Sequence, residues 1–358
     1  LSSLSVLIKI ATATHKLKQT IDEVMSKSPN NTVALPHENK DTLYLTDSGL
    51  ETQLIFKDNF TLPGFAAFTM LYDSRGSEHC KEYYRRHAAL AAQSSNSTKL
   101  GFVFESMTWR ATPDWLKKLG YDNMQDIADK AIRILAEVRD EFPSLASNGV
   151  LSGNVGPRGD GYVASDVMTP NEAKEYHYPL ILALKNAGAD MVMAATLNYI
   201  DEGIGIVLAA QKAGIPVVLS FTLETDGCLL TGEPMSEIIH TIDETTDNGP
   251  AYYMINCAHP THFIGKLNPK DGDREWISRI GGIRGNASKM SHAELDDALE
   301  LDEGNPKEFG KDNLSLLELL PQANVFGGCC GTDIRHVESI LSSCPPAFEA
   351  RKQKQLVQ

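Results

Sequence analysis

Cysteine is scarce in this chain, with six in 358 residues, too few for the disulfide frameworks that hold small secreted domains together. Basic residues are outnumbered: 33 Lys and Arg face 47 Asp and Glu, a net charge of −14. That balance excludes a general nucleic-acid binder or a protein drawn to anionic membranes, since both need a basic surface. No apolar run approaches the roughly 18 residues of a membrane span. Neither a Gly-x-Gly-x-x-Gly turn after the first predicted strand nor a Walker phosphate loop is present, which removes the common nucleotide-binding designs. What remains is the expectation of a soluble protein acting on small molecules, with 42% hydrophobic residues to build a large core. The one macromolecular partner left open is a second copy of the chain.

Residues 1–21 contain no acid but carry Lys9, Lys16 and Lys18 among Ser and Thr. They read as an amphipathic leader of a cytoplasmic protein, with an organelle transit segment as the alternative. We therefore divide the chain into a leader at 1–40, a main domain at 41–345 and a tail at 346–358. Within the domain, short apolar runs alternate with helical periodicity. Strands are expected near 43–46, 101–104, 149–153, 190–196, 215–221, 252–256, 280–285 and 324–327, and helices near 77–95, 124–141, 169–186, 202–213, 236–245, 314–320 and 334–341. Thr169-Pro170-Asn171-Glu172 carries the hydroxyl cap, Pro and acid that open a helix. Residues 261–310 read as a polar excursion over the surface interrupted by one weak strand. Strand–helix alternation repeated about eight times predicts parallel strands with helical crossovers, most economically a (β/α)8 TIM barrel. A doubly wound open sheet is the runner-up.

In a barrel, the C-terminal ends of the strands share one mouth, where polar groups serve binding or catalysis. Asp47, Glu105, Asn154, Thr196, Cys257 and the Cys329–Cys330 pair all fall at such ends. Neighbouring side chains on a regular strand point to opposite faces, so Cys329 and Cys330 converge only where the backbone bends. Glycines on both sides would permit the bend. With Cys257, the pair would form an all-cysteine zinc site with one open position. The competing view is a redox-sensitive or incidental vicinal pair. Cys80, Cys228 and Cys344 read as ordinary thiols.

Asp47-Ser48-Gly49-Leu50-Glu51-Thr52-Gln53-Leu54 resembles the Asp-Gly-Gly-x-x-Thr-x-Leu opening of the homocysteine S-methyltransferases. Asn256-Cys257 and Gly327-Gly328-Cys329-Cys330-Gly331-Thr332 are similar to that family's two zinc-ligand motifs. Gly153-Asn154-Val155-Gly156-Pro157 and Ser220-Phe221-Thr222 match weaker motifs. The resemblance implies a Zn2+-dependent barrel that methylates the thiol of homocysteine to give methionine. Its ligands would be Cys257, Cys329 and Cys330, with substrate contacts from Asp47, Gly49, Glu105, Asn154 and Asn256. The onium methyl donor would be S-methylmethionine, S-adenosylmethionine or betaine-like, because the chain has no room for folate and cobalamin modules. Tyr72, Trp109, Tyr162 and Tyr199 are candidates to hold its positive charge. His259 reads as a supporting residue, since three cysteines and a substrate already fill a tetrahedron.

The sequence departs from the family where a glutamate usually precedes Thr196: Ala195 stands there. Ser48 likewise replaces a glycine. Either another carboxylate, from Asp47, Glu105 or Glu224, meets the ammonium group of homocysteine, or the acceptor is a different thiol or selenol such as selenocysteine. A noncatalytic zinc- or thiol-binding barrel is the reading from outside enzymology.

Overall fold

A computed structural model of the chain describes residues 33–93, 98–163, 167–267 and 274–355. Of the expected leader at 1–40, residues 1–32 lie outside the described residues. Within the compact unit Ala34–Gln358, eight parallel strands close into a barrel in sequence order, β1 pairing with both β2 and β8. The strands are β1 (Thr42–Thr46), β2 (Lys99–Glu105), β3 (Gly149–Val155), β4 (Met191–Leu197), β5 (Val217–Phe221), β6 (Tyr252–Asn256), β7 (Ile280–Gly285) and β8 (Val325–Gly328). Nearly every strand residue is buried, because side chains on one face fill the barrel and those on the other meet helices. That two-sided burial is why the strands read as unbroken apolar runs.

The long helices are α1 (Ser74–Ala92), α2 (Met124–Asp140), α3 (Pro170–Asn186), α4 (Ile200–Ala213), α5 (Met235–Thr246), α6 (Pro306–Leu319) and α7 (Ile334–Gln355). The predicted opening of α3 forms a capping box, with Thr169 and Glu172 each bonded to the other's backbone. α1 starts three residues earlier than the periodicity indicated, because the Asp73 side chain accepts from Gly76 N and caps it.

Two expectations are corrected. Residues 346–355 are not a tail: α7 runs on through Pro345 and Pro346, burying Phe348 completely. Arg351 there donates to the carbonyls of Leu317, Leu320 and Ala323 at the end of α6 and just beyond it. The region 261–310 is also more than a surface excursion. Beyond the expected strand, which is β7, its residues Leu295, Asp296, Ala298, Glu300, Leu301 and Asp302 line the cavity at the barrel mouth. Among the described residues, no helix is long and apolar enough to cross a membrane.

Candidate metal and substrate site

The C-terminal ends of the strands surround a cavity of ≈ 230 Å³. Asp47, Gly49, Glu105, Asn154, Asn256, Cys257, Cys329 and Cys330, the residues singled out from sequence, all line it. The Sγ atoms of Cys257, Cys329 and Cys330 lie within 4.8 Å of one another, with Cys257 and Cys330 at 3.8 Å. They are the one group of three or more His, Cys, Asp or Glu among the described residues that could hold a metal ion.

Backbone geometry brings these sulfurs together. β6 ends at Asn256, and Cys257 then turns into the left-handed region at φ 53, which costs a residue with a Cβ. Three donors converge on its carbonyl and hold that turn: Asn286 Nδ2 at 2.9 Å, His292 Nε2 at 2.8 Å and Thr222 Oγ1 at 3.3 Å. The other ring nitrogen of His292 lies 2.9 Å from Glu224. On β8 the bend is not shared by the flanking glycines as expected. Gly331 alone takes a positive φ, of 78, whereas Gly327 and Gly328 serve close packing, since a Cβ on either would collide with Thr46 or Thr332. Gly49 is required for the same reason: a Cβ there would sit 2.5 Å from the Cys329 carbonyl oxygen.

Hydrogen bonds from Cys329, Cys330, Tyr162 and Thr196 draw the Cys257 thiol well below its usual value. The same bonding to Cys257 pushes Cys329 up to about 12 and holds Cys330 well above its ordinary value. Thiolates this close repel one another, and a metal ion would offset that repulsion. Around them stand Thr196 Oγ1, 3.9 Å from the Cys257 sulfur, Asn256 Nδ2, 3.9 Å from that of Cys329, and the Tyr162 hydroxyl, 3.9 Å from that of Cys330. The Asn256 amide is itself fixed, its Oδ1 accepting from Thr196 N at 2.9 Å and Ser220 Oγ at 2.7 Å.

The carboxylates differ in what they touch. Asp47 is buried against Arg284, Oδ1 to Nη2 at 2.6 Å, and Arg284 also donates to the carbonyls of Gly328 and Ser48. Burial raises Asp47 to about 6 even though Arg284 pulls the other way. Glu51 is raised to about 7, again by loss of water. Glu105 reaches about 8 through burial, and its Oε2 has no hydrogen-bond partner. Glu224, the third carboxylate considered from sequence, is taken by His292 and does not line the cavity.

Of the four aromatics, Trp109 and Tyr162 line the cavity, while Tyr72 and Tyr199 do not. Trp109 is already covered by the Arg110 guanidinium, 4.1 Å from its ring, and Tyr162 stacks on His292 at 4.2 Å. His259 caps the short helix Pro260–Phe263 and stands outside the sulfur cluster. Arg284, Glu51 and His292 escaped the sequence reading. A lone charge inside the glycine-rich strand Ile280–Gly285 was the available signal for Arg284; nothing in the polar stretch around His292 marked it.

Comparison with known proteins places these features in context. A family model described as homocysteine S-methyltransferase matches residues 44–344. The homocysteine S-methyltransferase YbgG of Bacillus subtilis is 28% identical over 38% of this chain and 47% of its own length. A methionine synthase of Mycobacterium tuberculosis is 26% identical over 78% of this chain and 23% of its own. The matched region therefore spans less than half of either curated relative. The metallated form of the homocysteine methyltransferase MmuM of Escherichia coli shares the fold at a TM-score of 0.65 and 17% identity, covering 84% of this chain and 96% of that one.

Proposed function

Because the chain belongs to the homocysteine S-methyltransferase family, we propose that it transfers a methyl group from a small sulfonium or ammonium donor to the thiol of homocysteine, giving methionine. The observation that carries this reading is the cluster of three cysteine sulfurs beside a cavity large enough for small substrates. Cys257, Cys329 and Cys330 would hold the metal, and their chemistry suits zinc. Two sulfurs each about 2.3 Å from a tetrahedral zinc lie about 3.8 Å apart, matching the 3.8 Å between Cys257 and Cys330. A bound zinc would present the acceptor as a thiolate at neutral pH, although a free thiol keeps its proton up to about pH 8.5.

The chain's own residues then orient and shield. Asn256, Thr196 and Tyr162 direct polar hydrogens at the sulfurs and limit the access of water to them. Asp160, Asp296, Glu300 and Asp302 line the same cavity, outnumbering Arg110 and the Asp47-paired Arg284, and this negative field favours a cationic donor such as S-methylmethionine, S-adenosylmethionine or betaine. As the acceptor sulfur forms its new bond to the methyl carbon, the carbon–onium bond breaks and the thioether or amine leaves neutral. No proton donor is needed for that leaving group, so alignment of the three atoms supplies most of what the enzyme must contribute.

The test is methionine formation, followed by mass spectrometry, from homocysteine and each of the three donors on zinc-loaded protein. Cys329→Ala and Cys330→Ala are expected to lose both bound zinc and methyl transfer. Turnover that survives complete chelation, or retained zinc with no transfer from any donor, would overturn the proposal.

A further inference from the structure

Among the carboxylates of the cavity, Glu105 stands apart in what it lacks. It ends β2, and the register pairs it with Ser152 of β3. Side chains alternate along a strand, so Asn154, two residues beyond Ser152, points to the same face as Ser152. Glu105 Oε2 and Asn154 Oδ1 therefore sit on neighbouring strand ends in one cavity wall, and neither has a hydrogen-bond partner although both atoms are buried. Glu105 as a residue is 3% exposed. The neighbouring hydroxyls of Ser152 and Tyr252 have no partner either, so the protein leaves these costly acceptors unpaired, and a donor that enters the cavity would satisfy them.

An ammonium group fits: it carries three donors and no acceptor, and its charge matches a carboxylate. The other carboxylates considered from sequence are committed elsewhere, Asp47 to Arg284 and Glu224 to His292, and Ala195 carries no carboxylate. Resting on the homocysteine reading above, we propose that Glu105, with Asn154 beside it, binds the α-ammonium group of the acceptor and so selects amino-acid thiols over thiols that lack the amine. The raised value of Glu105 is consistent with a site completed by its ligand: Arg284, Asp47, Ser152 and Tyr252 surround the carboxyl, and burial outweighs the pull of Arg284. An arriving ammonium restores the ionised form.

The test compares homocysteine with 4-sulfanylbutanoate, the same thiol acid without its amine, by calorimetric titration of the zinc-loaded protein and by kcat/KM with a working donor. Wild-type protein is expected to prefer homocysteine. In Glu105→Gln the preference should fall by about 10- to 100-fold, the loss of a charge-assisted hydrogen bond, at unchanged zinc content. In Asn154→Ala it should fall several-fold, and this variant carries the test should the first not fold. An unchanged preference in a folded, zinc-replete variant overturns the assignment alone. Wild-type protein that binds neither thiol overturns the homocysteine reading and the assignment with it.

Discussion

Replacing Glu105 with Gln should make the ligand-free protein more stable, and increasingly so as pH rises. The carboxyl sits at about 8 in the folded protein against an ordinary 4.5. Between those values the folded state holds a proton that the unfolded chain has released, so stability contributed at low pH is lost as pH climbs through 8. A full proton of difference changes stability by about 1.4 kcal/mol per pH unit, so from pH 5 to pH 8 the loss is on the order of 3 kcal/mol. Gln has nearly the same shape and cannot ionise. Near pH 5 the two proteins should be about equally stable, and the variant should pull ahead towards pH 8. Asp47 and Glu51 also titrate in this range, but they are common to both proteins and cancel to first order in the difference. Urea denaturation at half-unit pH steps reads the effect directly. A difference that stays flat from pH 5 to 8 would refute it, because Glu105 would then be ionising as it does in water. Confirmation would mean that the wild-type protein sacrifices stability to keep a carboxylate where only a ligand can satisfy it.

Other expectations follow from neighbouring contacts. Arg284→Met strips Asp47 of its buried counter-ion and should cost about 3–5 kcal/mol in urea denaturation at neutral pH. Adding Asp47→Asn should recover part of that loss; a single-variant cost below about 1 kcal/mol would contradict the buried pair. His292→Phe preserves a ring to stack on Tyr162 but removes the donor to the Cys257 carbonyl. It should weaken zinc binding about 10- to 100-fold in competition with a chromophoric chelator, and unchanged affinity would show that Asn286 and Thr222 suffice.

The barrel was legible because each strand is buried on both faces and carries its own apolar signature. Even the glycine-rich β7 was found at its observed limits, Ile280–Gly285. The end of α7 was not legible: Pro345 and Pro346 are a helix-stop signal by local rules, and the burial of Phe348 that overrides it depends on tertiary packing. The cysteine cluster could be anticipated because strand ends share one mouth. The choice among carboxylates could not. Whether Asp47 or Glu105 is free to meet a ligand depends on Arg284, which lies 237 residues from Asp47 in the chain. Sequence proximity carries no trace of that pairing.

The left-handed turn at Cys257 has a consequence for the order in which the molecule can be completed. Its carbonyl is held by groups from the end of β5, from the stretch after β7 and from the helix at His292–Asp296, while the other two sulfurs follow β8. A nascent chain that has made only its first six strands therefore possesses one thiol of the three, with Thr222 the only one of its three carbonyl partners yet in place. On the proposed assignment of the three cysteines, metal affinity would be a late property, acquired when the ring of strands closes on itself. Ion uptake would then report barrel closure during synthesis or refolding.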